Sequence, residues 1–160
     1  MTVKRKLYIT FSWMLTAACM VMIFYMSAQP ADKSSDMSNS LIQQILDFAG
    51  IELSSFLIRK AAHTVEFMGL CMLICNAVYA TWEIKAAPAI AWLSAAAYAV
   101  TDELHQLFSD GRACQLRDVL IDSLGALLGA VICFVIIRII IERRNKNGDA
   151  KAVSGSTSEE

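Results

Sequence analysis

The chain has 160 residues, of which 56% are hydrophobic and only 18% charged, with a formal net charge of -1. Ordinary globular chains hold roughly 45–50% and about 25% of these classes, so the balance excludes a typical soluble domain. No basic stripe lies outside the chain ends, which argues against nucleic acid as a partner.

The first apolar block, Leu7 to Met26, carries no formal charge. At about 1.5 Å per residue it is long enough to cross a hydrocarbon core of roughly 30 Å. Lys4-Arg5-Lys6 precede it, as they would a signal peptide. The apolar run exceeds the roughly 7–15 residues of a signal core, however, and Ser27-Ala28-Gln29 before Pro30 is a poor cleavage site. Leu15-Thr16-Ala17-Ala18-Cys19 is a near miss for a lipoprotein cleavage box, but the run continues past the cysteine. A retained span is expected.

A longer segment, Ser27 to Ile58, follows. Pro30 to Ser40 reads as loop, whereas Leu41, Ile42, Ile45, Leu46 and Ala49 recur at helical spacing up to Gly50. That pattern predicts a short amphipathic helix, lying on the outer membrane surface or covering a site like a lid.

Three further spans are predicted at about 61–80, 86–107 and 119–141. The span at 86–107, third in the chain, is fully apolar only to Val100, and Thr101 to Gln106 then bring in Asp102, Glu103 and His105. Its apolar part reaches only about 23 Å at 1.5 Å per residue, so the polar end must lie in or beside the membrane boundary. The short link Thr81 to Lys85 makes spans two and three an antiparallel hairpin. The expected fold is all-α: an integral membrane bundle of four transmembrane helices with an external amphipathic segment. Residues 1–144 form the membrane domain and 145–160 a disordered cytoplasmic tail.

Lysines and arginines set the expected orientation. Residues 1–6, 81–85 and 138–160 hold nine of them and residues 27–60 and 108–118 hold five, which puts both termini on the cytoplasmic side. Trp82 is expected to anchor at an interface and Arg138 to snorkel to cytoplasmic headgroups. Asn76, within span two, is expected to make an interhelical hydrogen bond. Of Cys19, Cys71, Cys75, Cys114 and Cys133, all but Cys114 lie in apolar blocks. Cys71 and Cys75, four apart, could share a ligand, but buried cysteines act chiefly as small hydrophobes, and no disulfide framework is expected.

Three distant pieces converge on the external end. The first is Arg59-Lys60-Ala61-Ala62-His63-Thr64-Val65-Glu66, in which His63 and Glu66 share a helix face. The second is Asp102-Glu103-Leu104-His105-Gln106, with Asp102, His105 and Gln106 on one face and Glu103 turned away. The third is Arg112, then Arg117-Asp118 and Asp122, where Asp118, Asp122, Gly125 and Gly129 form one stripe. An ionisable group at membrane depth costs at least about 2.5–3.5 kcal/mol, so Glu66, Asp102 and Asp122 should face the interior and find partners there. Gly125 and Gly129, with Ala126 and Ala130, make a small-residue seam for close helix approach.

Such a cluster supports three readings: a structural ion-pair network, a ligand-binding site, or an acid–base or metal-dependent hydrolytic site. The catalytic candidates are His63, Glu66, Asp102, Glu103 and His105. The binding candidates are Arg59, Lys60, His63, Glu66, Asp102, His105, Gln106, Arg112, Asp118 and Asp122. Neither His-Glu-x-x-His nor a suitable cysteine pair signals zinc, and no cofactor is expected. Ser109 and Thr64 offer hydroxyls nearby, but no motif marks them as nucleophiles.

The pieces Arg59-Lys60-x-x-His63-x-x-Glu66-Phe67, Asp102-Glu103-x-His105-Gln106-x-Phe108, Gly111-Arg112 and Asp118-Val119-x-x-Asp122-x-x-Gly125, in this order, resemble the VanZ-like family of bacterial membrane proteins. Ser27-Ala28-Gln29-Pro30 also looks like that family's exit from its first helix. The resemblance covers roughly residues 7–140. Ser109-Asp110 stands where members often have a proline, and Asp122 where many have asparagine. The resemblance implies residence in the bacterial cytoplasmic membrane and a link to glycopeptide resistance, in particular lowered susceptibility to teicoplanin. Because teicoplanin carries a fatty acyl chain, an outer-leaflet site would suit an acylated glycopeptide or a lipid-linked envelope precursor, with the lipid bilayer itself as the other partner.

Overall fold

A computed structural model describes residues 2–27, 55–106 and 115–156, with side chains over 2–27, 60–106 and 115–146. These residues form four helices: α1 (Val3–Ser27), α2 (Ser55–Trp82), α3 (Ala87–Gln106) and α4 (Leu116–Ser156). No strand occurs among the described residues. The predicted amphipathic helix at 41–49 lies outside them, as do Arg112, Cys114 and Ser109.

Three helical stretches, Val3–Ser27, Lys60–Trp82 and Leu116–Lys146, are long and apolar enough to cross a membrane. α3 differs. Its 20 residues reach about 30 Å, but its last turn carries Asp102 and Glu103. α4 stays helical to Ser156, through part of the 145–160 stretch expected to be a disordered tail. Glu142, Arg143, Arg144 and Lys146 are good helix formers, so nothing among them interrupts the backbone hydrogen bonds begun in the apolar part.

α2 and α4 run in the same direction at the centre of the bundle, and small residues allow them to meet. A Cβ on Gly125 would collide with the Thr64 carbonyl oxygen and lie 3.0 Å from Thr64 Cα. A Cβ on Gly129 would lie 2.5 Å from the Met68 carbonyl oxygen and 3.3 Å from Cys71 Cβ. Gly125 and Gly129 thus approach Thr64 and Met68 in step, four residues apart on each helix. Ala126, Ala130 and Cys133 continue the buried face of α4, and Cys71 and Cys75 that of α2. These cysteines fill space as small apolar side chains.

α3 packs on both α2 and α4. Ala87, Ala91, Ala95 and Ala99 are fully buried at four-residue steps, and the stripe continues into Asp102 and Gln106. Trp92 donates from its indole N–H to the Ser123 carbonyl of α4 at 3.2 Å. The link from α2 to α3 is Glu83 to Ala86. Glu83 closes α2 in the left-handed conformation, φ 53°, donating its N–H to the Tyr79 carbonyl at 2.8 Å.

α1 lies on the periphery, against α2 with a lighter contact to α3. Polar bonds tie it down. Tyr8 donates to Asn76 Oδ1 at 2.7 Å, and Asn76 Nδ2 donates to Ser12 Oγ at 3.1 Å, so Asn76 makes the expected interhelical bonds. Trp13 Nε1 donates to Thr81 Oγ1 at 3.1 Å, and Tyr98 of α3 donates to the Met20 carbonyl at 2.7 Å. At the same end as Tyr8, Glu83 accepts Arg5 at 2.6 Å and lies 3.7 Å from Arg144, joining α1 and α4 through the α2–α3 turn.

The outward faces are apolar: Leu7, Phe11, Met14 and Val21 on α1, and Leu120, Leu124, Leu128, Val131 and Val135 on α4, all exposed. Such continuous apolar surface has no stable partner in water, whereas lipid chains cover it without cost. The backbone contact at the glycine seam yields a direct test. Gly125→Ala and Gly129→Ala should each lower stability in mild detergent by about 1–3 kcal/mol, as for overpacked cores. Gly69→Ala, where an added Cβ meets nothing within 4 Å, should be neutral or slightly stabilising. Thermal unfolding followed by circular dichroism would measure all three.

Candidate functional site

At the opposite end from Glu83, the end of α1, the start of α2, the end of α3 and the start of α4 meet around a polar cluster. Asp102, Glu103, Gln106 and Asp122 are all buried there, Asp102 and Glu103 with only 2% of their surface exposed. Charged side chains are almost never this buried unless matched, and most of the matching is visible.

Asp102 Oδ2 accepts from Ser27 Oγ at 2.8 Å and from Gln106 Nε2 at 3.1 Å, and Gln106 Nε2 also donates to Ser27 Oγ at 2.9 Å. α1 and α3 are thereby fastened at their ends by a closed triangle of bonds. Lys60 of α2 forms an ion pair with Asp118 of α4. His63 Nδ1 lies 3.6 Å from Glu66 Oε2, one turn apart on α2, so the predicted shared face is real. Asp102 is within electrostatic reach of both Glu66 and Asp122, and Lys60 is within reach of Glu103 and Asp122. The described residues of the three sequence-distant pieces therefore form one cluster.

Glu103, turned away from Asp102 as its position on the helix requires, does different work. Its Oε1 accepts the backbone N–H of Gln115 at 2.7 Å, where α4 starts. A carboxylate there complements the unpaired N–H groups and the positive end of the helix dipole. His105 stacks on Phe24 of α1, centroids 3.9 Å apart at 29°. Arg112 lies outside the described residues, and Arg59 belongs to the α2 backbone without a described side chain.

Two buried atoms of the cluster have no hydrogen-bond partner among the described residues: Asp102 Oδ1 and His105 Nδ1. Asp118 Oδ1 is in the same position. A buried acceptor left unmatched costs roughly 1–3 kcal/mol, so each of these atoms needs explaining.

Ser27 gives its proton to Asp102, whereas a serine nucleophile is activated by handing it to a histidine. Thr64 spends its hydroxyl on the Lys60 carbonyl at 2.9 Å. Among the described residues, no group of three His, Cys, Asp or Glu side chains is arranged to hold a metal ion.

The VanZ/LLP1 family model matches residues 11–138. The chain belongs to the VanZ/LLP1 family. The match takes in α1 from Phe11 onward, all of α2 and α3, and α4 as far as Arg138, so every described residue of the polar cluster falls within it. With three helices able to cross a bilayer, this is a VanZ-like membrane protein. No curated relative and no solved structure matches the chain.

Ser27 and Phe24 were not among the candidates drawn from the sequence, although both touch the cluster. A signal was available for Ser27. Ser12, Thr16, Ile23 and Ser27, the buried residues of α1, fall on one face, and three hydroxyls on one face of an otherwise apolar helix mark the side that meets other helices. Ser27→Ala removes one donor from the Asp102 carboxylate and one of the two acceptors of Gln106. It should cost about 1–3 kcal/mol, read as a lower unfolding temperature. Asp102→Asn preserves shape and an acceptor for both donors, and should unfold within a few degrees of wild type in the same assay.

Proposed function

We propose that this VanZ-like protein binds an amphiphilic or lipid-linked envelope ligand at its polar cluster, in the outer leaflet of the bacterial cytoplasmic membrane. In this reading α3 is a fourth span and both termini face the cytoplasm, following the bias of basic residues toward that side. The observation that carries the proposal is Asp102. One of its oxygens is held by Ser27 and Gln106, while the other, equally buried, has no partner among the described residues. A ligand hydroxyl, amide N–H or ammonium would satisfy it.

The surroundings suit an amphiphile. In this reading Lys60, together with Arg59 and Arg112 whose side chains lie outside the described residues, is assigned to an anionic headgroup, and Glu66, Asp102 and Asp122 to its donors, with His63, His105, Gln106 and Asp118 as the further binding residues. Exposed Val65, Leu104 and Leu120 at the same end offer apolar surface to an acyl chain. An acylated glycopeptide such as teicoplanin, or the lipid-linked precursor that such drugs bind, has this combination of parts, which accords with the resistance link that the family resemblance implies.

A second reading has its own support. Lys60–Asp118, His63–Glu66 and the Ser27–Asp102–Gln106 triangle are already paired within the protein, as in a network whose task is to staple four helix ends. Teicoplanin and vancomycin susceptibility of a sensitive Gram-positive host, expressing wild type or Asp102→Asn with membrane levels matched, separates the two. Binding predicts a several-fold loss of teicoplanin susceptibility with wild type that disappears with Asp102→Asn, and little change for vancomycin. Equal behaviour of wild type and variant at equal levels would favour the structural network.

A further inference from the structure

The other end of the bundle holds a separate feature. A cavity of about 290 Å³ opens beside the α2–α3 turn, lined by Lys85, Phe134, Ile137, Arg138, Ile141 and Glu142. Its floor is aromatic and aliphatic, and its charged groups are two cations and one carboxylate. We infer that this cavity is a binding site for an anionic phospholipid, whose phosphodiester lies between Lys85 and Arg138 and whose chains run over Phe134 and Ile137.

Charge complementarity is the first argument. Among the described residues, neither Lys85 nor Arg138 has an ion-pair partner, although Glu142 lies in the same cavity wall. A nearby carboxylate, Glu83, is engaged by Arg5 and Arg144. Arg138 instead rests over the Phe134 ring, 5.7 Å from its centroid. The cavity therefore keeps a net positive charge that the protein leaves unmatched.

Depth is the second argument. Arg144 reaches Glu83, so the α2–α3 turn lies level with that part of α4. Arg138 is six residues nearer the membrane centre, or about 9 Å. A cation at that depth is costly unless it reaches an anion, and a guanidinium can grip a phosphodiester with two parallel hydrogen bonds. The apolar floor decides the class of anion. A free phosphate would leave Phe134, Ile137 and Ile141 uncovered, whereas a phospholipid covers them with its own chains. Basic recesses between membrane helices suit anionic headgroups on this principle.

The test uses the full chain reconstituted in phosphatidylcholine vesicles containing a minor fraction of phosphatidylglycerol. The protein is released in mild detergent, and retained lipid is counted by native mass spectrometry. Wild type should retain phosphatidylglycerol well above its share of the bilayer. Lys85→Gln and Arg138→Gln should each reduce that enrichment by about fivefold, and Glu142→Gln, which removes the cavity's own carboxylate, should raise it. Inorganic phosphate present during release should leave the enrichment unchanged. The inference is overturned by any of three results: no enrichment in wild type, equal enrichment in both glutamine variants of the cations, or displacement by inorganic phosphate. If the cation variants fail to reach the membrane, Glu142→Gln decides alone, and an enrichment that stays level or falls sinks the proposal.

Discussion

The close approach of α4 to α2 at Gly125 and Gly129 is the contact on which the rest of the bundle depends. Lipid chains are as apolar as leucine, so helices in a bilayer gain little from burying oil against oil and rely on packing and polar contacts. Here the absence of two side chains brings α4 against the Thr64 and Met68 carbonyls. The register so set puts Asp118 beside Lys60 and buries Asp122 within electrostatic reach of the same lysine. A wider separation would leave these charges at membrane depth without partners. The glycine contact is thus also what makes the polar cluster affordable.

The peripheral helix follows a different logic. α1 shows much of its apolar surface outward and is held mainly by hydrogen bonds distributed along its length, from Tyr8 and Ser12 on Asn76 to Ser27 on Asp102. Each bond joins groups that would otherwise be unmatched in hydrocarbon, so α1 is attached at specific points and its rotation is fixed. The two ends are built from different chemistry. Exposed ion pairs at Glu83 join helices that water still reaches, and pairs of this kind contribute modestly. The half-buried pairs and the buried triangle at the other end are better shielded from water, and a mismatch there is costly.

That contrast bears on function. A purely structural network tends toward complete matching, because each orphaned buried atom is a loss with no return. Asp102 Oδ2 and Lys60 are each paired within the cluster, yet Asp102 Oδ1, His105 Nδ1 and Asp118 Oδ1 are left without partners among the described residues. Buried polar atoms left unmatched beside matched ones are an arrangement that suits a site. Glu103 belongs to the matched groups, since its carboxylate holds the start of α4.

Much of this was legible in the sequence. The apolar block lengths determined the helices, because backbone polar groups in hydrocarbon must bond within their own segment. The four-residue repeats of glycine and alanine marked the faces that meet, and the cost of membrane-depth charge required Glu66, Asp102 and Asp122 to face inward. The i,i+3 spacing of His63 and Glu66 put them side by side before any fold was known. Partner choice was not legible in this way. That Asp102 takes Ser27 and Gln106, that Lys60 takes Asp118, and that Glu103 binds the Gln115 amide depends on the relative rotation and height of whole helices. Those are decided by van der Waals contact along the glycine and alanine seams, a property of the packed bundle that no single segment carries. The sequence by itself determined which residues had to be buried together; only the tertiary structure decided which atoms of that set are matched and which are left open.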